Sequence, residues 1–385
     1  MSQSPDPNAA VERAAELTPD AADLLCLCAF LDPAHPIPVA ALDAGADALP
    51  PRLAEALRAP AARERTFDAL LDAGAGGVAG DELVLLPAAA AAAGGRLDKD
   101  ARRAWAAAAA GVMERVFPAD PTREEDREPA GRLLPHAVAA ARHALEAGAA
   151  PGAAAQLLYL AGRYLLEARG DFPGARELLK HAVAARARAH GAKDTRVALD
   201  LNYLNGALLH LGEWGEMAAN ATRAADILEG ELGPRDRTVI THVNNAALLL
   251  ARAGHRGRAR EWFTRALELA EPVFGPAHPF CATIHNNLGD LDRGEGNLDA
   301  AREAYRRALA IDEAAYGPRH NSVARDLGKL GEVLAETGDH AAARAPLERA
   351  LAWIVETDGA DDVRAVRLRA LLARLNGSRP RPPAA

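Results

Sequence analysis

At 385 residues the chain exceeds the usual size of one compact core and leaves room for two or three units. Apolar residues make up 49% but aromatics only 4%, so the apolar surface is dominated by small side chains of high helix propensity, which points to an all-α fold. A formal net charge of -8 argues against a general binder of nucleic acid or anionic membrane, since both demand a basic patch.

The first residues, MSQSPDPNAAVERAAE, have neither a basic start nor an apolar stretch. No later run approaches the roughly 18 apolar residues of a bilayer span. Residues 1–16 are therefore expected as a disordered tail on a soluble, cytoplasmic protein with no membrane partner. Residues 17–100 predict helices at Pro19–Leu31, Pro38–Ala48, Pro51–Leu57 and Arg63–Ala73, then a hairpin in GGVAGDELVLL turning at Gly80-Asp81. Cys26 and Cys28 stand about 200° apart around their helix. They cannot share a metal, and with Cys281 they read as small buried hydrophobes in a reducing compartment.

Three helices and a hairpin form a winged-helix outline. LLCLCAFLDPAHPIP, the Leu49-Pro50 step and GDELVLL resemble the winged-helix segment that follows the nucleotide-binding domain in signal-transducing NTPases of the STAND class. The resemblance implies a sensor-and-spacer half without the nucleotide-binding domain, which would not bind ATP by itself. It also departs from that class at Leu86, where such segments often place a histidine. Six basic against thirteen acidic residues between Pro19 and Asp100 oppose DNA contact.

Two further helices, Asp100–Phe117 and Ala130–Ala147, flank PADPTREEDREP. That loop is expected to be a hinge or protease-sensitive link, or a rigid spacer if its flanking helices pack against the segment beginning at Ala149. His136 and His143 lie two turns apart with no third ligand nearby in sequence, and read as helix surface.

From Ala149 the chain repeats with a period of 42 residues. Glycines keep this step at 191, 233, 275, 317 and 359 and again at 170, 212, 254, 296 and 338, and alanines at 182, 224, 266, 308 and 350. A fixed period of this length marks stacked units that bury their apolar faces against neighbours. Within one period, Pro279–Asp292 and Leu298–Ala315 predict a helix pair broken at Gly294 to Gly296. Asp194, Asp236, His278 and His320 share one phase and suit helix caps. Small residues at Ala247, Gly289 and Gly331 share another phase, with large Phe263, Tyr305 and Leu347 on the second helix. Residues 359–376 read as a polar capping helix and 377–385 as a disordered tail.

These columns resemble the tetratricopeptide repeat, and GPAHP followed by NNLG is similar to the long repeats of the kinesin light chain group. The resemblance implies a right-handed α-solenoid of five helix pairs over 149–358, joined to the winged-helix-like domain. It also implies that the first helix of each pair lines a concave face that holds an extended peptide. Carried over, this gives Asn202, Asn244 and Asn286 in one column and Tyr203, Asn245, Asn287 and Lys329 in the next, with Asp290 and Arg325 one turn away. Asparagine is a poor helix former whose amide both donates and accepts, so a ladder can pair with a peptide backbone. Alternatively, the amides bond to neighbouring helices and only order the stack. The ladder breaks at Gly328.

The sequence contains no G-x-x-x-x-G-K-[ST] loop, H-E-x-x-H helix or G-x-S-x-G elbow. The expectation is a non-enzymatic scaffold for a protein or peptide partner, with no cofactor or metal. Two other roles are a regulatory subunit of a separately encoded NTPase and a winged-helix DNA-binding regulator. The end faces of a solenoid would also admit a homodimer.

Overall fold

The computed structural model describes residues 6–377, which are helical except for one small sheet and the connecting turns. Two compact units are divided between Glu213 and Trp214. The division falls inside the stretch expected to be one run of repeats, because α11 (Thr195–Leu211) packs on α10 (Phe172–His190) whereas α12 (Trp214–Leu232) packs on α13 (Arg237–Arg252).

The first unit begins with a helix where a disordered tail was expected. In α1 (Pro7–Leu17) the Asp6 carboxylate accepts the Asn8 amide and Pro7 opens the first turn. Ala10, Val11 and Ala14 are buried, and the helix packs on α2 (Pro19–Cys28) and α6 (Pro87–Gly95). The expected helix at Pro38–Ala48 is split into α3 (Val39–Ala44) and a 3-10 turn, Ala46–Ala48. Gly45 sits at the break, where an added Cβ would lie 2.5 Å from Val112 on α7 (Lys99–Val116). After α4 (Pro51–Arg58) and α5 (Pro60–Asp72), strands β2 (Gly76–Ala79) and β3 (Glu82–Leu85) form the expected hairpin. A short β1 (Ile37–Pro38) adds to β3, giving an antiparallel sheet of order β1-β3-β2.

α8 (Glu124–Glu146) starts six residues before the expected Ala130, with Glu124, Glu125 and Asp126 in the first turn, where the helix dipole favours acids. The loop before it is correspondingly short. It is tied by Thr122, which donates to Asp120 at 2.7 Å, and by Arg163 at 3.4 Å from the same carboxylate. α7, α8 and α9 (Pro151–Arg163) pack together. His136 is not at the surface: it shares an apolar stripe with Leu133, Ala137 and Ala140, and its Nε2 lies 3.0 Å from the Pro36 carbonyl oxygen. Burial holds its pKa below the usual value. α9 runs into a π-helical turn, Tyr164–Arg169, before α10.

The second unit continues through α14 (Arg256–Phe274), α15 (Pro279–Gly294), α16 (Leu298–Tyr316), α17 (Asn321–Glu336), α18 (His340–Asp358) and α19 (Val363–Gly377). Each helix packs on the next, and α13 also touches α15, as α17 touches α19. Both glycine series adopt positive φ throughout, from +64° at Gly170 to +100° at Gly191. Such angles are open to glycine at little cost, which explains its return at every helix end. Asp194, Asp236, His278 and His320 accept the amides of Arg196, Thr238, Phe280 and Ser322, so all four are caps. The small phase faces the large one: a Cβ on Gly289 would lie 2.5 Å from Tyr305, and one on Gly331 would lie 2.5 Å from Leu347. Among the described residues no helix is long and apolar enough to cross a membrane. The expected disordered tail lies, from 378 onward, outside the described residues.

Candidate functional site

The inner asparagine column does not face outward in the second unit. Asn286 sits between Ala282 and Gly289 on the packing stripe of α15 and is 3% exposed. Its Nδ2 donates to Asp326 Oδ1 on α17 at 2.8 Å. Asn244 is 6% exposed, and its Oδ1 accepts from Asn287 Nδ2 at 3.2 Å. These amides therefore lie in the seams between α13, α15 and α17. They bond inside the protein, contrary to the expectation that they receive a peptide. The next position lies about 100° further round each helix, and there Asn245 is exposed and Asn287 half-buried.

In the first unit, Asn202 is exposed on α11 while Tyr203 is held in an aromatic cluster. Its ring meets Tyr159 edge to face at 5.3 Å, and the Arg163 guanidinium lies 5.0 Å above it. Beside it, Arg186 and Asp200 form a buried ion pair at 2.6 Å, with Arg186 also bonded to Gln156. Burial raises the Asp200 pKa to about 6 even against that cation.

The remaining candidates, Asp290, Arg325 and Lys329, converge on one cleft of about 620 Å³ between α15, α17, α18 and α19. Its wall carries five cations, namely Arg293, Arg325, Lys329, Arg364 and Arg367, against two acids, Asp290 and Glu332. Ala324, Ile354 and Leu368 supply its apolar patches. The cations are held in place by acids. Lys329 meets Asp290 at 2.6 Å, Arg293 and Arg367 meet Glu332 at 2.6 and 2.8 Å, and Arg364 bonds to Asp358 and Asp362. Hydrogen bonds to Glu336 and Glu332 raise the Arg293 pKa, so it stays charged. Tyr305 donates to Asp290 at 2.8 Å, which fixes the carboxylate that holds Lys329.

Arg325 reaches inward as well. Its Nη2 lies 3.2 Å from Asp312 Oδ2 and its Nε 2.9 Å from Asp326 Oδ1, and both carboxylates are buried. Asp312, Asp326, Arg293, Arg364 and Arg367 were absent from the sequence candidates. A signal existed for two of them: Asp312 stands in phase with Ala270 and Ile354, and Asp326 with Ile284 and Leu368, so acids occupy phases that the two flanking copies fill with apolar residues. The arginines of α19 were also in phase with earlier ones, Arg367 one period after Arg325 and Arg364 four periods after Arg196, but they fell in the stretch read as a capping helix. Among the described residues no three acids, histidines or cysteines gather as a metal site.

Models of the tetratricopeptide repeat match residues 238–314 and 280–353, and a second such model matches 155–195, together less than half the chain. No curated protein matches. Among solved structures, apo RapI is similar over 73% of this chain and 72% of its own, with 13% identity and a TM-score of 0.51. A kinesin light chain-related protein of Podosopora anserina with nearly identical TPR-like repeats gives 18% identity over 52% of this chain and 94% of its own, with a TM-score of 0.46. BtubC (BKLC) of P. vanneervenii gives 22% over 68% and 95%, with a TM-score of 0.42. At these identities the likeness speaks to fold alone. The sequence matches agree with the paired helices described above: this chain carries tetratricopeptide repeats.

Proposed function

We propose that the protein is a non-enzymatic interaction scaffold whose second unit takes an acidic segment of a partner protein into the cleft between α15, α17, α18 and α19. One observation carries this: in a chain of net charge -8, the cleft wall exposes five cations and two acids. Asp312 and Asp326, which pair with Arg325, lie beneath the wall and are 2% and 0% exposed. Arg325, Arg364 and Arg367 remain 43%, 57% and 65% exposed at their side chains. Guanidinium groups suit carboxylates because their planar forks match carboxylate geometry, and apolar patches beside them add contact area. The antiparallel β1-β3-β2 sheet behind four helices supports reading residues 17–100 as winged-helix-like. Its acidic balance favours a protein contact there over DNA.

Two variants test the cleft by different means. Arg367→Glu reverses an exposed charge, and Gly328→Leu fills space, since a Cβ at Gly328 meets nothing closer than Leu368 at 4.0 Å. The intact chain should capture a partner from lysate that is released by raised salt, and both variants should lose it while keeping helicity. Gly328→Leu should gain roughly 0.5–1 kcal/mol of stability from helix propensity. Capture unchanged in both variants would sink the proposal.

A further inference from the structure

Asp312 on α16 and Asp326 on α17 occupy two positions whose usual filling is known from the repeat itself. Three periods of 42 residues earlier they hold Arg186 and Asp200, a neutral pair at 2.6 Å. One period earlier they hold Ala270 and Ile284, both fully buried. Two periods earlier they hold Leu228 and His242 and one period later Ile354 and Leu368, so no other copy places two carboxylates at this point of the stack.

As found, two buried carboxylates share one guanidinium, that of Arg325. Asn286 supplies one further donor, to Asp326. Asp312 Oδ1 and Asp326 Oδ2 are buried without any hydrogen-bond donor. The cluster is short of one positive charge and one donor, and a proton supplies both. The adjoining guanidinium disfavours a metal ion in that role through simple repulsion. Burial, and next the Asp326 charge, push the Asp312 pKa up to about 6. From the elements packed around the pair, α15 contributes the Asn286 amide and α17 contributes Arg325 and Asp326. α18 contributes apolar Ile354 to the same wall, and on α19 Arg364 and Arg367 are paired with Asp358, Asp362 and Glu332. His285 on α15 is buried and lies within the field of Arg307 and Glu271.

Arg325 is the member of this cluster that lines the cleft. We propose that an anionic group docking in the cleft draws Arg325 away from Asp312 and Asp326, and that the pair takes up one proton from solvent in exchange. Partner binding is then proton-linked and tighter at mildly acidic pH. This rests on the acidic-segment reading above. No bond forms or breaks other than the one to the proton.

The test uses the full chain and a fluorescent ten-residue polyglutamate peptide. In the free protein, carboxyl carbon NMR should show two aspartates titrating near pH 6, Asp200 and Asp312, and the Asp312→Asn variant should lose one of the two signals. Peptide affinity should rise about sixfold from pH 7.5 to 5.5, the part of the roughly tenfold effect of a one-unit pKa shift on binding that falls in this window for a free pKa of about 6. Asp312→Asn, which mimics the protonated acid, should bind tightly at both pH values and lose the dependence; Asp326→Asn serves if that variant folds poorly. Ordinary titration of the signal lost in Asp312→Asn, or a pH dependence retained in the asparagine variants, overturns the linkage while peptide binding survives. Absence of peptide binding at every pH overturns the acidic-segment reading and the linkage with it.

Discussion

Replacing Asn244 and Asn286 together by alanine distinguishes amides that order the stack from amides that hold a ligand. Asn286→Ala removes one of the two donors to Asp326 Oδ1, leaving Arg325, on a buried carboxylate whose other oxygen already has no donor. A hydrogen bond to a charged group contributes about 1.5–3 kcal/mol. Asn244→Ala strands the half-buried Asn287 amide, a neutral bond contributing about 0.5–1.5 kcal/mol. The two bonds share no partner, so the losses should nearly add. Alanine returns roughly 0.5 kcal/mol of helix propensity at each site. The net loss is therefore about 1–3.5 kcal/mol, with the larger part from Asn286. With a urea m-value of about 2 kcal/mol/M, the midpoint should fall by roughly 0.5–1.7 M. Urea titration followed by far-UV circular dichroism, on both single variants and the double, reads this directly. An unchanged midpoint together with lost partner capture would refute the seam assignment and return these amides to a ligand-facing role.

Two further outcomes rest on the same packing. Gly331→Ala should destabilise by up to about 2 kcal/mol, because overpacking costs about 1–3 kcal/mol against a helix-propensity gain of about 1; the new methyl would meet Leu347 at 2.5 Å and the Ala343 carbonyl at 3.3 Å. A higher urea midpoint in that variant would show that the helices can move apart freely. Stability against pH should also carry the mark of Asp312, whose native pKa of about 6 lies above its unfolded value. Its contribution is fully present below the ordinary carboxylate range and is lost as pH rises through about 6, so Asp312→Asn should make the fall of the urea midpoint between about pH 4 and 6 less steep, the part due to Asp200 remaining. A variant profile parallel to that of the native chain would contradict this.

The repeat was legible because its determinants are local. A glycine forced to positive φ, a cap three residues beyond it, and a small residue facing a large one all recur at fixed steps, and each is visible without knowing the fold. Helix α1 was legible too: Asp6-Pro7 with apolar Ala10, Val11 and Ala14 spells a capped amphipathic helix, and it was outweighed only by its place at the start of the chain. His136 and the inner asparagines failed for a shared reason. Spacing reveals which residues share a face but not what that face meets. Asn286 lies four residues after buried Ala282 and three before buried Gly289, and Asn244 stands likewise between Ile240 and Ala247. Apolar periodicity thus put both amides on the packing stripe, and their polarity masked it. Nothing local could show α19 arginines meeting α17, since that contact depends on how the last helix folds back.

That last contact explains why a cleft opens at this end of the second unit. In the two preceding copies the inner phase holds Asn244 and Asn286, and each amide reaches the first helix of the following pair, Asn244 at Asn287 and Asn286 at Asp326. The third copy places Gly328 at that phase, and the atom nearest to its missing side chain is Leu368 at 4.0 Å. A side chain that would bind the next helix has been deleted where the next helix is α19. The seam that is closed by an amide in earlier copies is thus left as space, and Arg364 and Arg367 on α19 face it opposite Arg325 and Lys329 on α17. One glycine and one arginine-rich helix turn a packing position into a receiving one, using the same register that builds the rest of the stack.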